Sequence, residues 1–258
     1  MPDAGVQVSP SPAIRDGVAR RTVPMVLLAL AAVGWWWSVK VAGDMSGGGM
    51  DAMAGPMSLG AFVVAWLAMM AAMMLPAVLP VVKLYGLAAA RGTVAPAPLF
   101  VAGYLVLWTT LALPAFVAWR ALEMPLADGA AWAGRVAGAT LLAAAVWQVS
   151  PVKSACLRHC RSPMGVFLRF GGDARRPAGA MRMGFVHGAY CIGCCWALFA
   201  VLVAAASMSV VWLVVFTVLI FAEKNLPSGE RFALAAACAL AALGAALLIA
   251  PSLITHIT

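Results

Sequence analysis

Seven apolar runs, at 22–42, 59–82, 98–119, 130–149, 183–206, 208–222 and 232–254, restrict this chain more than anything else in it. A helix needs about 20 such residues to cross the roughly 30 Å of a bilayer's hydrocarbon. The runs therefore predict an all-α, polytopic transmembrane helix bundle of about seven spans, with a short interfacial helix or loop after span four. Composition agrees: 64% of the 258 residues are apolar and 10% are charged, against about 25% charged in a soluble domain. The run at 208–222 is the shortest, and Ser207 and Ser209 beside it suit a tight turn.

The division of the chain follows. Residues 1–21 read as a disordered, cytoplasmic tail, and 22–258 as one transmembrane domain. Arg20 and Arg21 precede the apolar run Val23–Val41, a pattern shared with signal peptides. The length of the run and its closing Trp35, Trp36 and Trp37 favour an uncleaved first span with an interfacial aromatic belt. Pro76 and Pro80 in span two and Pro114 in span three predict kinks. No internal repeat marks an inverted-repeat transporter.

The formal charge of +8 does not point to nucleic acid, because the basic residues gather in loops between spans. Arg15, Arg20 and Arg21 precede span one, Lys83 and Arg91 follow span two, and Lys224 and Arg231 follow span six. Lys153, Arg158, Arg161, Arg169, Arg175, Arg176 and Arg182 fill the segment after span four. The positive-inside rule then predicts a bacterial inner-membrane protein in the lipid bilayer, its N-terminus cytoplasmic and its C-terminus outside.

Chemistry concentrates in two motifs. His187, Cys191, Cys194 and Cys195 stand at i, i+4, i+7 and i+8 in the fifth run, within an arc of about 100° on a helix. Cys156 and Cys160 stand at i, i+4 after span four, on the same expected side of the membrane as His187 and Cys191. The strip from His187 to Cys195 rises about 12 Å, too far for one ion. Two subsites follow: a shallow one of Cys156, Cys160, His187 and Cys191, and a deeper one of Cys194 and Cys195 that shares Cys191. His159, between the two loop cysteines, reads as solvated.

Three readings of these thiols stay open. Free cysteines are often small buried hydrophobes, and Cys238 is read that way. Cys191 and Cys194 form a C-x-x-C pair suited to thiol-disulfide exchange. Thiolate with imidazole suits Zn²⁺ or Cu(I), and thioethers tilt the choice to Cu(I). Methionine supplies them. Met50, Met53 and Met57 dot the first outward loop, and Met69, Met70, Met73 and Met74 repeat at i+4 in span two. Met packs apolar interiors equally well. Glu223 and Lys224 end span six, either as an exposed ion pair at a turn or with Glu223 orienting the ligand cluster.

The run Met73-Met74-Leu75-Pro76, the motif from Pro151 to Pro163, the motif from Gly184 to Trp196 and the stretch from Glu223 to Gly229 together resemble a bacterial family of predicted metal-binding integral membrane proteins. The resemblance covers the greater part of the chain and implies a helical membrane fold and metal binding, without a reaction. The expected function is handling or transport of a soft metal, Cu(I) ahead of Zn²⁺, without catalysis, with a metallochaperone or a membrane complex as partner. A membrane thiol-disulfide oxidoreductase and a zinc-clamped structural subunit are the alternatives. No ATP-binding loop supports a pump.

Overall fold

The structure, a computed structural model, describes residues 12–46, 57–170, 172–204 and 210–253. Their regular structure is all helical: α1 (Pro12–Ser46), α2 (Leu59–Ala90), α3 (Ala97–Thr110), α4 (Ala112–Ala127), α5 (Ala131–Gln148), α6 (Pro151–Arg161), α7 (Pro163–Phe170), α8 (Pro177–Ala204), α9 (Val210–Asn225) and α10 (Gly229–Ile249). Local chemistry sets several ends. Ser58 caps α2 by accepting from the Ala61 N–H at 3.2 Å, and Ser150 caps α6 by accepting from the Lys153 N–H at 3.1 Å, with Pro151 at the first turn. Gly92 adopts φ +71° just past α2, the left-handed turn that ends a helix most easily at glycine.

Among the described residues, five stretches are long and apolar enough to cross a membrane: 16–43, 59–90, 97–126, 177–204 and 229–249. A sixth forms if α5 and α6 count as one span bent by 64°. The expected seven come down to this number because the 208–222 run is realised as α9, only 16 residues long. Span three is α3 and α4 in series, broken at Leu111. Pro114 accounts for the break, since its missing N–H leaves the Thr110 carbonyl without its helical donor. Pro76 and Pro80, by contrast, lie within an uninterrupted α2.

The expected tail is helical from Pro12 onward, and residues 1–11 lie outside the described residues. Asp16 ties these first turns to the end of α2 through a 2.8 Å ion pair with Arg91, and Ala19 is buried. The Ser207–Ser209 turn, Met50, Met53 and His256 also lie outside the described residues.

α2 and α8 form the middle of the bundle. α1 packs along α2, α3 and α6 along α8, and α5 along α10. Glycines make the closest crossings. A Cβ on Gly184 would stand 1.9 Å from the Phe100 carbonyl oxygen, and one on Gly103 would stand 2.0 Å from that of Met181. α3 and α8 therefore touch backbone to backbone, as small residues permit. The outer faces carry exposed Met25, Val146 and Val211, the kind of surface that lipid covers.

Candidate metal centre

α8 places His187, Cys191, Cys194 and Cys195 on its buried face, as helical spacing requires. The thiols of Cys194 and Cys195 both point back to the Cys191 carbonyl, at 3.0 and 2.8 Å. α6 lies across this face. Cys156 Sγ fills the space above Gly193, where a Cβ would come within 2.6 Å of it. One turn on, Cys160 Sγ stands 3.8 Å from Cys194 Sγ. Trp147 at the end of α5 donates its indole N–H to the Gly193 carbonyl at 3.1 Å and fixes the helix junction.

Three other helices reach Cys191. From α2, Met74 Sδ lies 3.8 Å from Cys191 Sγ. From α9, Lys224 Nζ donates to Cys191 Sγ at 2.8 Å and lies 3.8 Å from Met74 Sδ. From α3, Tyr104 OH is 3.0 Å from the same sulfur. A thioether, an ammonium and a phenol thus surround the buried Cys191 thiol. All the cysteines are free thiols.

The described residues contain no group of three or more His, Cys, Asp or Glu side chains placed together as an ion would require. Cys160 Sγ meets Cys194 Sγ, and Cys191 Sγ meets Met74 Sδ. Their spacing suits the chemistry nonetheless: two sulfurs 3.8 Å apart fall within the span of two metal–sulfur bonds of about 2.3 Å each. The donor set is soft, favouring Cu(I) or Zn²⁺ over Mg²⁺ or Ca²⁺. The partition into shallow and deep subsites does not hold, because Cys160 of the first meets Cys194 of the second. α6 packs close enough over Gly193 to bring its cysteines to the middle of the strip.

His187 stands apart. Its ring is 1% exposed and lies near the rings of Phe100 and Tyr104, centroids 5.9 and 6.2 Å away. Neither ring nitrogen has a hydrogen-bond partner. His159 is exposed and stacks on Tyr190, ring centroids 4.4 Å apart.

The acid and base at the end of α9 form no exposed ion pair. Glu223 is buried and accepts from Lys153 Nζ at 2.7 Å and from Gln148 Nε2 at 2.8 Å. Lys153 also donates to the Gln148 amide oxygen. This triad pins α5, α6 and α9 together, so Glu223 serves the helix junction and not the cysteines. Lys224 turns the other way, into the sulfur cluster. The sequence reading missed Lys224, Lys153 and Tyr104 as site residues. The available signal was a lysine at the edge of an apolar run, since ionisable groups inside a membrane bundle are costly and tend to have partners.

Among the methionines, Met74 reaches the cluster. Met70 and Met73 are fully buried in the apolar core. Met69 lines an apolar cavity with Trp66 and Trp119. Met57 is not solvent-facing as expected; it is half-buried and packs against the core at the start of α2.

No curated protein and no solved structure matches the chain. A family profile does: PpoB2, described as a copper chaperone, matches residues 63–247. The match spans Met74, both cysteine motifs, Glu223 and Lys224. With well over half its length inside that match, the chain belongs to the PpoB2 family of copper chaperones.

Proposed function

We propose that this protein is an integral membrane copper chaperone that holds Cu(I) as cargo on the sulfur cluster of Cys160, Cys191, Cys194 and Met74. The observation that carries the reading is the meeting of sulfur from three helices: Cys160 with Cys194 and Met74 with Cys191, each pair 3.8 Å apart. A thioether within a thiol cluster favours Cu(I) over Zn²⁺, because thioether is a soft neutral donor. Cys156, Cys195 and His187 border the cluster as further ligands along a transfer route. In this reading the site lies within the bacterial inner membrane and the N-terminus is cytoplasmic; the long apolar helices support the first part and the basic loops the second. A soluble metallochaperone or a membrane complex receives or supplies the metal.

Elemental analysis of detergent-purified protein loaded with Cu(I) under reducing conditions tests this. The wild-type chain should retain copper, and Cys160→Ser/Cys194→Ser should lose it. Met74→Leu should weaken retention by about tenfold or more, on the scale of lost support to a metal site. Undiminished copper in the double serine variant would sink the proposal. Zinc in place of copper would favour the structural clamp.

A second reading draws on the same short contact. Cys160 and Cys194 are thiols that face each other across the α6–α8 contact. In a thiol oxidoreductase they would form the working disulfide. Thiol trapping in intact cells separates the readings: a chaperone keeps both thiols reduced, whereas an oxidoreductase cycles them with an oxidant.

A further inference from the structure

Lys224 brings a positive charge to the sulfur cluster that copper ligation alone does not require. Its side chain enters from the end of α9 and is buried. Nζ donates to Cys191 Sγ at 2.8 Å and lies 3.8 Å from Met74 Sδ. Among the described residues no carboxylate pairs with it. The acid beside it in the chain, Glu223, faces the other way and is held by Lys153 and Gln148. The other groups at Cys191 Sγ are neutral, the Tyr104 hydroxyl at 3.0 Å and the Met74 thioether at 3.8 Å.

A lysine in that position is costly. Ionisable groups inside a helical membrane bundle are expensive to bury and persist where a partner of opposite charge meets them. Cys191 is that partner as a thiolate, the form in which a cysteine binds metal. An ion bonded to Cys191 Sγ at about 2.3 Å, with Nζ 2.8 Å from the same sulfur, lies within about 5 Å of the ammonium. Lys224 repels that ion in proportion to its charge, so a divalent ion meets twice the opposition of a monovalent one. On two thiolates, Cu(I) and Lys224 together bring the total to zero. Zn²⁺ in its place leaves an uncompensated positive charge inside the bundle, which is unfavourable there.

We propose that Lys224 sets the charge of the ion that the cluster accepts: its ammonium at Cys191 admits a soft monovalent ion and discriminates against a divalent one. The inference rests on the copper reading above and deepens it. Softness separates Cu(I) from Mg²⁺ and Ca²⁺, but Zn²⁺ also takes thiolates well. Charge is what separates Zn²⁺ from Cu(I) at this sulfur. Ag(I), soft and monovalent, passes the same filter.

The test loads the full chain in detergent, under reducing conditions, with Cu(I) alone and with Zn²⁺ alone. Each is challenged with dithiothreitol, a dithiol that has no ammonium beside its sulfurs, and the retained metal is read by elemental analysis. The readout is the ratio of the two affinities, because the proton displaced from Cys191 is the same for either ion and cancels. Lys224→Met should lower the preference for Cu(I) over Zn²⁺ about a hundredfold, on the scale of one unit charge at about 5 Å in an effective dielectric constant of about 20. Tyr104→Phe, which deletes a neutral contact to the same sulfur, should move the ratio far less. A further measurement needs no variant: wild-type protein should win a larger share of Cu(I) than of Zn²⁺ from dithiothreitol. An equal or smaller share of Cu(I), an unchanged ratio in Lys224→Met, or an equal fall in Tyr104→Phe would each overturn the charge filter and leave the copper cluster standing. Failure of wild-type protein to retain any Cu(I) would overturn both.

Discussion

Lys153 and Glu223 are 1% and 3% exposed along their side chains and 2.7 Å apart, so each depends on the other for its charge to be tolerated. Removing one member of such a pair leaves a buried charge alone and costs about 3–5 kcal/mol, whereas replacing both with apolar residues is often neutral. Glu223→Leu should therefore lower thermal stability sharply, and Lys153→Met/Glu223→Leu should recover most of the loss. Simple addition of the two single losses would show that the pair is not coupled. Cys238 offers a contrast within the cysteines. It is exposed on α10, and Cys238→Ser should leave both stability and bound copper at wild-type levels in the same elemental assay. The cysteines and His187 were legible as a group because their residue types are rare in apolar runs and their spacing obeys the helix. Lys224 was not, because a lysine followed by Asn225, Leu226 and Pro227 reads as the polar close of a span. Only the approach of α2, α3 and α8 around it reveals that its ammonium meets Cys191 and not water.

The α3–α8 crossing carries the geometry of the centre, since it brings Tyr104 to Cys191 and Phe100 to His187. Gly184 and Gly103 permit it. A methyl group on Gly184 would meet the Phe100 carbonyl oxygen and the Tyr104 backbone nitrogen, at 1.9 and 3.1 Å, and backbone cannot swing aside. Gly184→Ala should destabilise the bundle by about 1–3 kcal/mol, the usual range for overpacking, and should weaken copper retention as α3 is pushed off α8. Gly60→Ala, on α2 with nothing near its Cβ position, is the matched control and should unfold no earlier than wild type. Gly193 differs from both, for its Cβ would meet only the Cys156 side chain, Sγ at 2.6 Å and Cβ at 3.4 Å, and no backbone. Elements of this kind were legible as apolar runs, but their partners were not. Helices apolar on nearly every side carry no stripe to say which face turns inward. Hence the neighbours of α9 and the 64° angle between α5 and α6 emerge only from the packed bundle. The bend follows from Ser150 and Pro151, which start a new helix where the run ends.

At the scale of the whole molecule, orientation decides from which side copper reaches the sulfur cluster. The segment from α6 to the start of α8 carries Lys153, Arg158, Arg161, Arg169, Arg175, Arg176 and Arg182. Lys153 drops out of the charge balance because Glu223 neutralises it inside the bundle. Arg182 lies 3.6 Å from Asp173, both well exposed, a pairing that solvent largely screens. The remaining arginines still outweigh the single acid of that segment. The opposite loops hold Glu123 and Asp128 near Arg120, and Glu123 already pairs with Arg120 at 3.2 Å. Positive loops stay cytoplasmic, so α6 and α7 should face the cytoplasm. Reporter insertions test this at two glycines around which a Cβ would meet nothing, Gly172 before α8 and Gly129 between α4 and α5. A reporter active only in the cytoplasm should work at Gly172 and fail at Gly129, and one active only in the periplasm should do the reverse. The opposite pattern would turn the bundle over and place Arg158 and Arg169 in the periplasm. Copper would then reach the sulfur cluster from the periplasmic side, where the environment is oxidising and free thiols are not kept reduced.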